Sequence, residues 1–183
     1  VIDALIKNNA ILVMGQSEDD LENSFENLID VLDEAKIDID NFENSIVGLI
    51  SDEPNIAYLE EILHLVTQVG YANAYPDVFG EFKGSSISKA MDVARGGYFE
   101  TVPQIYPESS WYHYYDKSCD YACMITEYFY WSLTSLLGAQ INRFDEIAEE
   151  WELNTPNKMT KDKLIMGILQ DKKYQLPNRL PSF

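Results

Sequence analysis

The residue of this sequence that is best suited to acid–base or metal chemistry is Glu127, which stands among aromatic side chains. Thr126 precedes it and Tyr130 follows, in the run Thr-Glu-Tyr-Phe-Tyr, so on a helix these two hydroxyl groups would lie one turn apart. A carboxylate in such surroundings must be paired, metal-bound or protonated, because burial of an isolated charge costs too much free energy. We therefore expect Glu127 either to pair with an arginine, a lysine or a tyrosine hydroxyl, with Arg95 and Arg143 as possible partners, or to have a functional role.

The same five residues resemble the HExxH motif of the zincin metallopeptidases, in which two histidines one helical turn apart bind zinc and the glutamate acts on the metal-bound water. The resemblance implies that Glu127 would be the general base and that Glu149 or Glu150 would be the third ligand. Thr126 and Tyr130 occupy the two histidine positions, and a neutral hydroxyl or phenol is a poor zinc ligand. The resemblance therefore implies common descent without peptidase activity.

Further metal-type side chains lie in the loop that precedes Glu127. If this loop folded back, His113 would give a mixed nitrogen and oxygen site for a divalent ion; the alternative is a core histidine with a fixed tautomer. The other histidine, His64, lies at the polar edge of its predicted helix, and we expect no special role for it. Calcium, which prefers oxygen ligands, could be bound by Asp77, Glu81, Asp116 or Asp120. The candidate metal ligands of the chain are His113, Asp116, Asp120, Glu127 and Glu150.

Aromatic residues are dense from position 106 to position 131. Such side chains are usually core, but on a loop they can also form a platform for a glycan or a protein partner. For the helical aromatic residues we expect the core role, whereas for those on the loop both roles stay open. The predicted binding residues are Trp111, Tyr112, Tyr114 and Tyr115.

The two cysteines, Cys119 and Cys123, are four residues apart. On a regular helix their Cα atoms would be about 6 Å apart, which is within disulfide range, and a bridge would favour a helix start or an irregular turn. A bridge would imply an oxidising compartment and hence an extracellular or cell-surface location. The alternatives are two buried thiols and, less favoured because no second pair exists, a metal site.

The charge of the chain argues against several classes of partner. Thirteen basic and thirty-one acidic residues give a formal net charge of −18, which repels nucleic acid and acidic membranes. No apolar run approaches the roughly twenty residues that span a bilayer. Cations, a basic protein surface, a glycan or a second copy of the chain remain as partners. The sequence begins at Val1, and we expect it to be processed or partial.

The pattern of apolar residues predicts a mainly α fold, or α+β with a small N-terminal sheet, in one domain over residues 1–183 around a central buried helix at 120–140. Two long loops are predicted at 71–84 and 98–118. A strand is predicted at 10–14. Other helices are predicted at 18–35, from 41 to about 50, from 54 to 69, and at 85–95, 144–151 and 161–170, the last capped by Thr160.

We therefore predict a secreted or surface-exposed binding or structural module, zincin-like by descent, without catalysis, and stabilised by calcium or another divalent cation. One alternative is a metal-dependent hydrolase with Glu127 as base and an unusual ligand set that includes His113. Another is a subunit of an extracellular assembly.

Overall fold

The computed structural model describes residues 1–37, 45–50 and 57–180, with only the backbone for residues 57–59. It confirms a mainly helical fold with a small two-stranded sheet. The chain forms two compact units, Val1–Tyr75 and Pro76–Phe183, and each is described by itself. The prediction of one domain stays a prediction.

The first unit contains the sheet and the N-terminal helices. The strands β1 and β2 are parallel, with Ile11 opposite Ile46 and Gly15 opposite Ile50. Ser17 caps α2, since its side chain accepts a hydrogen bond from the backbone N–H of Asp20. The elements in chain order are α1 (Ile2–Lys7), β1 (Ile11–Gly15), α2 (Glu18–Glu34), β2 (Ile46–Ile50), α3 (Ala57–Leu65), a π-helical segment (Val66–Tyr71) and α4 (Ala72–Ala74).

The predicted helix from 41 to about 50 is wrong where the structure describes it, because Ile46–Ile50 is a strand. Its apolar residues pair with β1, and its Gly48 lies so close to α2 that a Cβ atom there would be 2.9 Å from the ring of Phe25. Residues 38–44 and 51–56 lie outside the description, so the predicted start of that helix and the first turn of the next are not tested.

The second unit is built around α7, of which most residues are buried. Asp120 caps this helix by accepting a hydrogen bond from the backbone N–H of Cys123, and Gly138 ends it in the left-handed conformation, with φ of 88°. The elements are α5 (Pro76–Phe79), α6 (Ser86–Ala94), α7 (Tyr121–Leu137), α8 (Phe144–Ile147), α9 (Pro156–Met159), α10 (Lys163–Leu169) and a 3₁₀ turn (Lys172–Tyr174).

Three details of the chain from residue 71 onwards differ from the prediction. The predicted loop at 71–84 contains the short helices α4 and α5, the predicted helix at 144–151 is helical only over Phe144–Ile147, and α10 is capped by Asp162 rather than Thr160. The long connection at 98–118 is confirmed as free of helices and extended strands. It is held by backbone bonds, among them His113 N–H to the carbonyl of Glu150 at 2.8 Å. In the described parts of the chain, every helix is too short or too polar to cross a membrane.

Candidate functional site

On α7, the two side chains at the histidine positions of the HExxH motif form hydrogen bonds within the second unit. Thr126 is buried, and its hydroxyl donates to the carboxylate of Glu81 at 2.6 Å. Tyr130 is also buried, and its phenolic oxygen accepts from the side-chain amide of Gln140 at 3.4 Å. Each is a neutral hydroxyl with a hydrogen-bond partner inside the protein, and such groups are poor zinc ligands.

Glu127 is half-buried on α7. Burial first, and the charge of Glu127 second, raise the pKa of the fully buried Tyr112. The two arginines that the sequence offers as partners have other contacts: Arg143 pairs with Glu146 at 3.0 Å, and Arg95 donates to the carbonyl of Phe99 at 3.0 Å. Both arginine side chains therefore contact groups other than their predicted partner, Glu127.

Arg95 is the most unusual of the buried polar residues, because its side chain has no solvent exposure. Its guanidinium lies over the ring of Phe99, 5.3 Å from the centroid, and 5.8 Å from that of Tyr106. Within the described structure, its Nε and Nη2 atoms have no hydrogen-bond acceptor. The electron-rich ring faces attract the guanidinium, and through these contacts Arg95 holds the start of the 98–118 segment against the end of α6.

Glu81 is a carboxyl group of the second unit whose proton affinity is strongly changed. Burial raises its pKa to about 7, the hydrogen bond from Thr126 opposes that rise, and the negative charge of Asp120 adds to it. A carboxyl with this pKa can exchange a proton near neutral pH. The sequence places Glu81 in a loop and carries no signal of its burial, because its partner lies 45 residues further along the chain.

The ring of His113 is held at both nitrogens. Nε2 is 2.7 Å from the hydroxyl of Ser110, and Nδ1 is 3.2 Å from the backbone carbonyl of Glu149. A metal ion at either nitrogen would have to displace one of these contacts. The predicted role as a tautomer-fixed histidine agrees with this arrangement better than the role of a metal ligand does.

The other predicted metal ligands are spread over the second unit. Asp116 is exposed and accepts hydrogen bonds from the backbone and the side chain of Ser118, which lower its pKa. Asp120 is the cap of α7. Glu150 is half-buried, and burial followed by the charge of Glu149 raises its pKa. In the described part of the chain, Asp116, Asp120, Glu150 and His113 all lie outside any group of three metal-type side chains that are close enough to share an ion.

The four aromatic residues predicted to bind a partner divide into two kinds. Tyr112 is fully buried and donates to the carbonyl of Met124, so it belongs to the core. Trp111 is partly exposed, donates to Asp162 and lies under the ammonium group of Lys161. Tyr114 is also partly exposed, and Tyr115 has half of its surface exposed. Contact with a partner is therefore open to three of the four side chains.

The predicted disulfide is confirmed. Cys119 and Cys123 are bonded, with their Cα atoms 5.3 Å apart, and the bridge joins the end of the 98–118 segment to the first turn of α7. The bond lies at a helix start, as its spacing indicates. It is compatible with an oxidising location.

The first unit contains a pair of metal-type side chains that the sequence analysis does not predict. On α3, Glu60 and His64 are one helical turn apart, and a carboxylate oxygen of Glu60 lies within 4.8 Å of a ring nitrogen of His64. The carboxylate of Glu61 is 4.0 Å from Nδ1 of the same ring. Burial lowers the pKa of His64 to about 4 and raises that of Glu61. The imidazole is therefore neutral at pH 7, which is the form that binds metals. The Glu-x-x-x-His spacing was the available signal.

Comparison of the chain with models of protein families, with curated proteins and with solved structures finds no match.

Proposed function

We propose that the chain is a secreted or surface-exposed binding or structural module, zincin-like by descent and without peptidase activity. One observation supports this above the others. The two side chains at the histidine positions on α7, Thr126 and Tyr130, are neutral, buried and hydrogen-bonded to Glu81 and Gln140. In a zincin, both positions are histidines whose imidazole nitrogens bind the zinc ion.

The proposal includes the predicted stabilising cation. Calcium is the ion expected where carboxylates alone supply the ligands, because it prefers oxygen. The disulfide at the start of α7 supports an oxidising location, because such bonds are rare where thiols are kept reduced. The acidic net charge of −18 favours a partner with a basic surface over an anionic one.

The surface for the partner is formed by the predicted aromatic residues of the 98–118 segment that are not buried: Trp111, Tyr114 and Tyr115. Tyr115 has half of its surface exposed and packs edge-on against Tyr106, at 5.5 Å between centroids. Ile105, in the same segment, is 84% exposed. A rigid, half-exposed ring offers contact area at a small cost in conformational entropy, which suits recognition of a protein or a glycan.

The absence of peptidase activity is tested by incubating the purified chain with a mixed fluorogenic peptide library, with and without added Zn²⁺, beside the variant Glu127→Gln. We expect no cleavage above background from either protein. Cleavage by the unaltered chain that Glu127→Gln abolishes would overturn the proposal and favour the hydrolase alternative.

The binding role is tested with arrays of glycans and of basic peptides. We expect Tyr115→Ala to lose the signal by at least about tenfold, since exposed aromatic residues dominate contact energies. Tyr98→Ala is the matched control, because Tyr98 is 42% exposed but packs against Tyr121 and Lys83. Equal signals from Tyr115→Ala and the unaltered chain would refute the assignment of this surface. A concentration-dependent mass in light scattering would instead favour the assembly alternative.

A further inference from the structure

The strongest unassigned chemistry of the chain lies on α3, outside the motif helix. Glu60 and His64 are four residues apart on this helix, so their side chains leave the same face one turn apart. Their ligand-type atoms lie within 4.8 Å of each other. A helical pair of this kind presents one imidazole nitrogen and one carboxylate oxygen in a common direction.

We propose that Glu60 and His64 are two ligands of a divalent transition-metal site on α3. This inference goes beyond the proposed function and does not depend on it, because it concerns other residues and an ion of another class. Mixed imidazole and carboxylate ligands suit zinc and its first-row neighbours, whereas calcium requires oxygen alone.

The geometry needs only a small adjustment. Two ligands of one zinc ion at about 2.0–2.2 Å from the metal would be roughly 3.4 Å apart in a tetrahedral arrangement. The glutamate has three rotatable bonds and is only half-buried, so its carboxylate can close the remaining distance. His64, by contrast, is 9% exposed and is fixed by the packing around it.

The backbone that follows His64 supports a functional role. The π-helical segment Val66–Tyr71 begins two residues after it, and the hydroxyl of Thr67 donates to the carbonyl of His64 at 3.1 Å. Segments of π-helix are rare and frequently occur at functional sites. Here the segment changes the helical register directly after the proposed ligand and leaves Glu60 and His64 on an uninterrupted α-helical turn.

The chain provides its own matched control, because it contains two histidines, His64 and His113. Zn²⁺ alone is titrated into the full chain by calorimetry and by equilibrium dialysis. We expect one Zn²⁺ per chain, with His64→Ala and Glu60→Gln each at least about tenfold weaker. Loss of even an outer partner of a metal ligand costs roughly 10–100-fold in affinity. His113→Ala should bind as the unaltered chain does, and a tenfold excess of Ca²⁺ should not displace the zinc.

An unaltered affinity in His64→Ala, or a loss that appears only in His113→Ala, would overturn the assignment. If His64→Ala does not fold, the test is made on the unaltered protein by nuclear magnetic resonance of the histidine ring nitrogens. Zn²⁺ should then shift the imidazole nitrogens of His64 and leave those of His113 in place. The reverse pattern, or no shift at either ring, counts against the site. Titration of Glu127→Gln tests separately whether Glu127 contributes to ion binding, as its sequence context predicts.

Discussion

The replacement Glu81→Gln should make the second unit more stable at pH 8 and leave it unchanged near pH 4.5. Burial raises the pKa of Glu81 to about 7 from its ordinary value of 4.5. The folded state therefore binds more protons than the unfolded state between these two values, so the free energy of unfolding falls as the pH rises through that window. A glutamine keeps an oxygen that accepts the Thr126 hydroxyl but carries no charge at any of these pH values.

The size of the effect follows from the shift. A difference of about 2.5 pKa units corresponds to roughly 3 kcal/mol at 1.36 kcal/mol per unit. That is the upper limit of the stability that the unaltered protein loses between pH 4.5 and pH 8, and that Glu81→Gln should retain. Near pH 4.5 the glutamate is protonated in the folded state and about half protonated in the unfolded state, which leaves a difference of only about 0.4 kcal/mol, so the two proteins should have similar urea midpoints.

The assay is urea unfolding followed by tryptophan fluorescence, measured at intervals from pH 4.5 to pH 8. All three tryptophans, Trp111, Trp131 and Trp151, belong to the second unit, so the signal reports that unit. The comparison is made between variants at each pH because His64, with its pKa lowered to about 4, has the opposite dependence. Its unfolded state binds the extra proton, so its contribution rises from about pH 4 to pH 6.5.

Glu108→Gln is the matched control, since Glu108 is an exposed glutamate of the same unit. It should follow the unaltered protein at every pH. If Glu81→Gln and the unaltered chain have the same midpoint at pH 8, Glu81 is ionised without cost in the folded state, and the argument from burial fails.

Two further predictions concern the stability of the second unit. Reduction of the bond between Cys119 and Cys123 should cost about 2 kcal/mol at most, because it closes a loop of only five residues; unfolding in urea with and without reductant measures this, and a much larger loss would refute the entropic argument. Asp162→Ala should cost about 3 kcal/mol or more, since it leaves the buried Tyr128 hydroxyl and the Trp111 indole without their acceptor. The exposed cap replacement Asp171→Ala should cost about 1 kcal/mol or less.

The helices with complete local signals could be predicted from the sequence. Ser17 and Ser85 are of cap-forming type and do cap α2 and α6, each accepting a hydrogen bond from the backbone N–H three residues further on. Gly96 ends α6 with φ of 78°, a conformation that favours glycine. Such signals lie within a few residues of the element that they define, so they can be read without knowledge of the fold.

The strand at Ile46–Ile50 could not be predicted, because a short apolar run is compatible with a helix or a strand until its partner is known. Its partner is β1, about thirty-five residues earlier. The cap of α10 shows the same limit. Thr160 and Asp162 are both good caps by residue type, but only the carboxylate of Asp162 also accepts from Trp111 and Tyr128, which lie far away in the sequence.

The motif helix shows why a local pattern was a weak guide to the site. The spacing of Thr126, Glu127 and Tyr130 predicts which side chains share a helical face, and α7 confirms the helix. What it cannot give is the group that each side chain meets: for Thr126 that group is Glu81, whose pKa is raised to about 7. The chemical character of position 126 is thus decided by a carboxyl group in a loop and not by its neighbours on the helix. A metal at this position would have to compete with a hydrogen bond of 2.6 Å, which favours structure over catalysis.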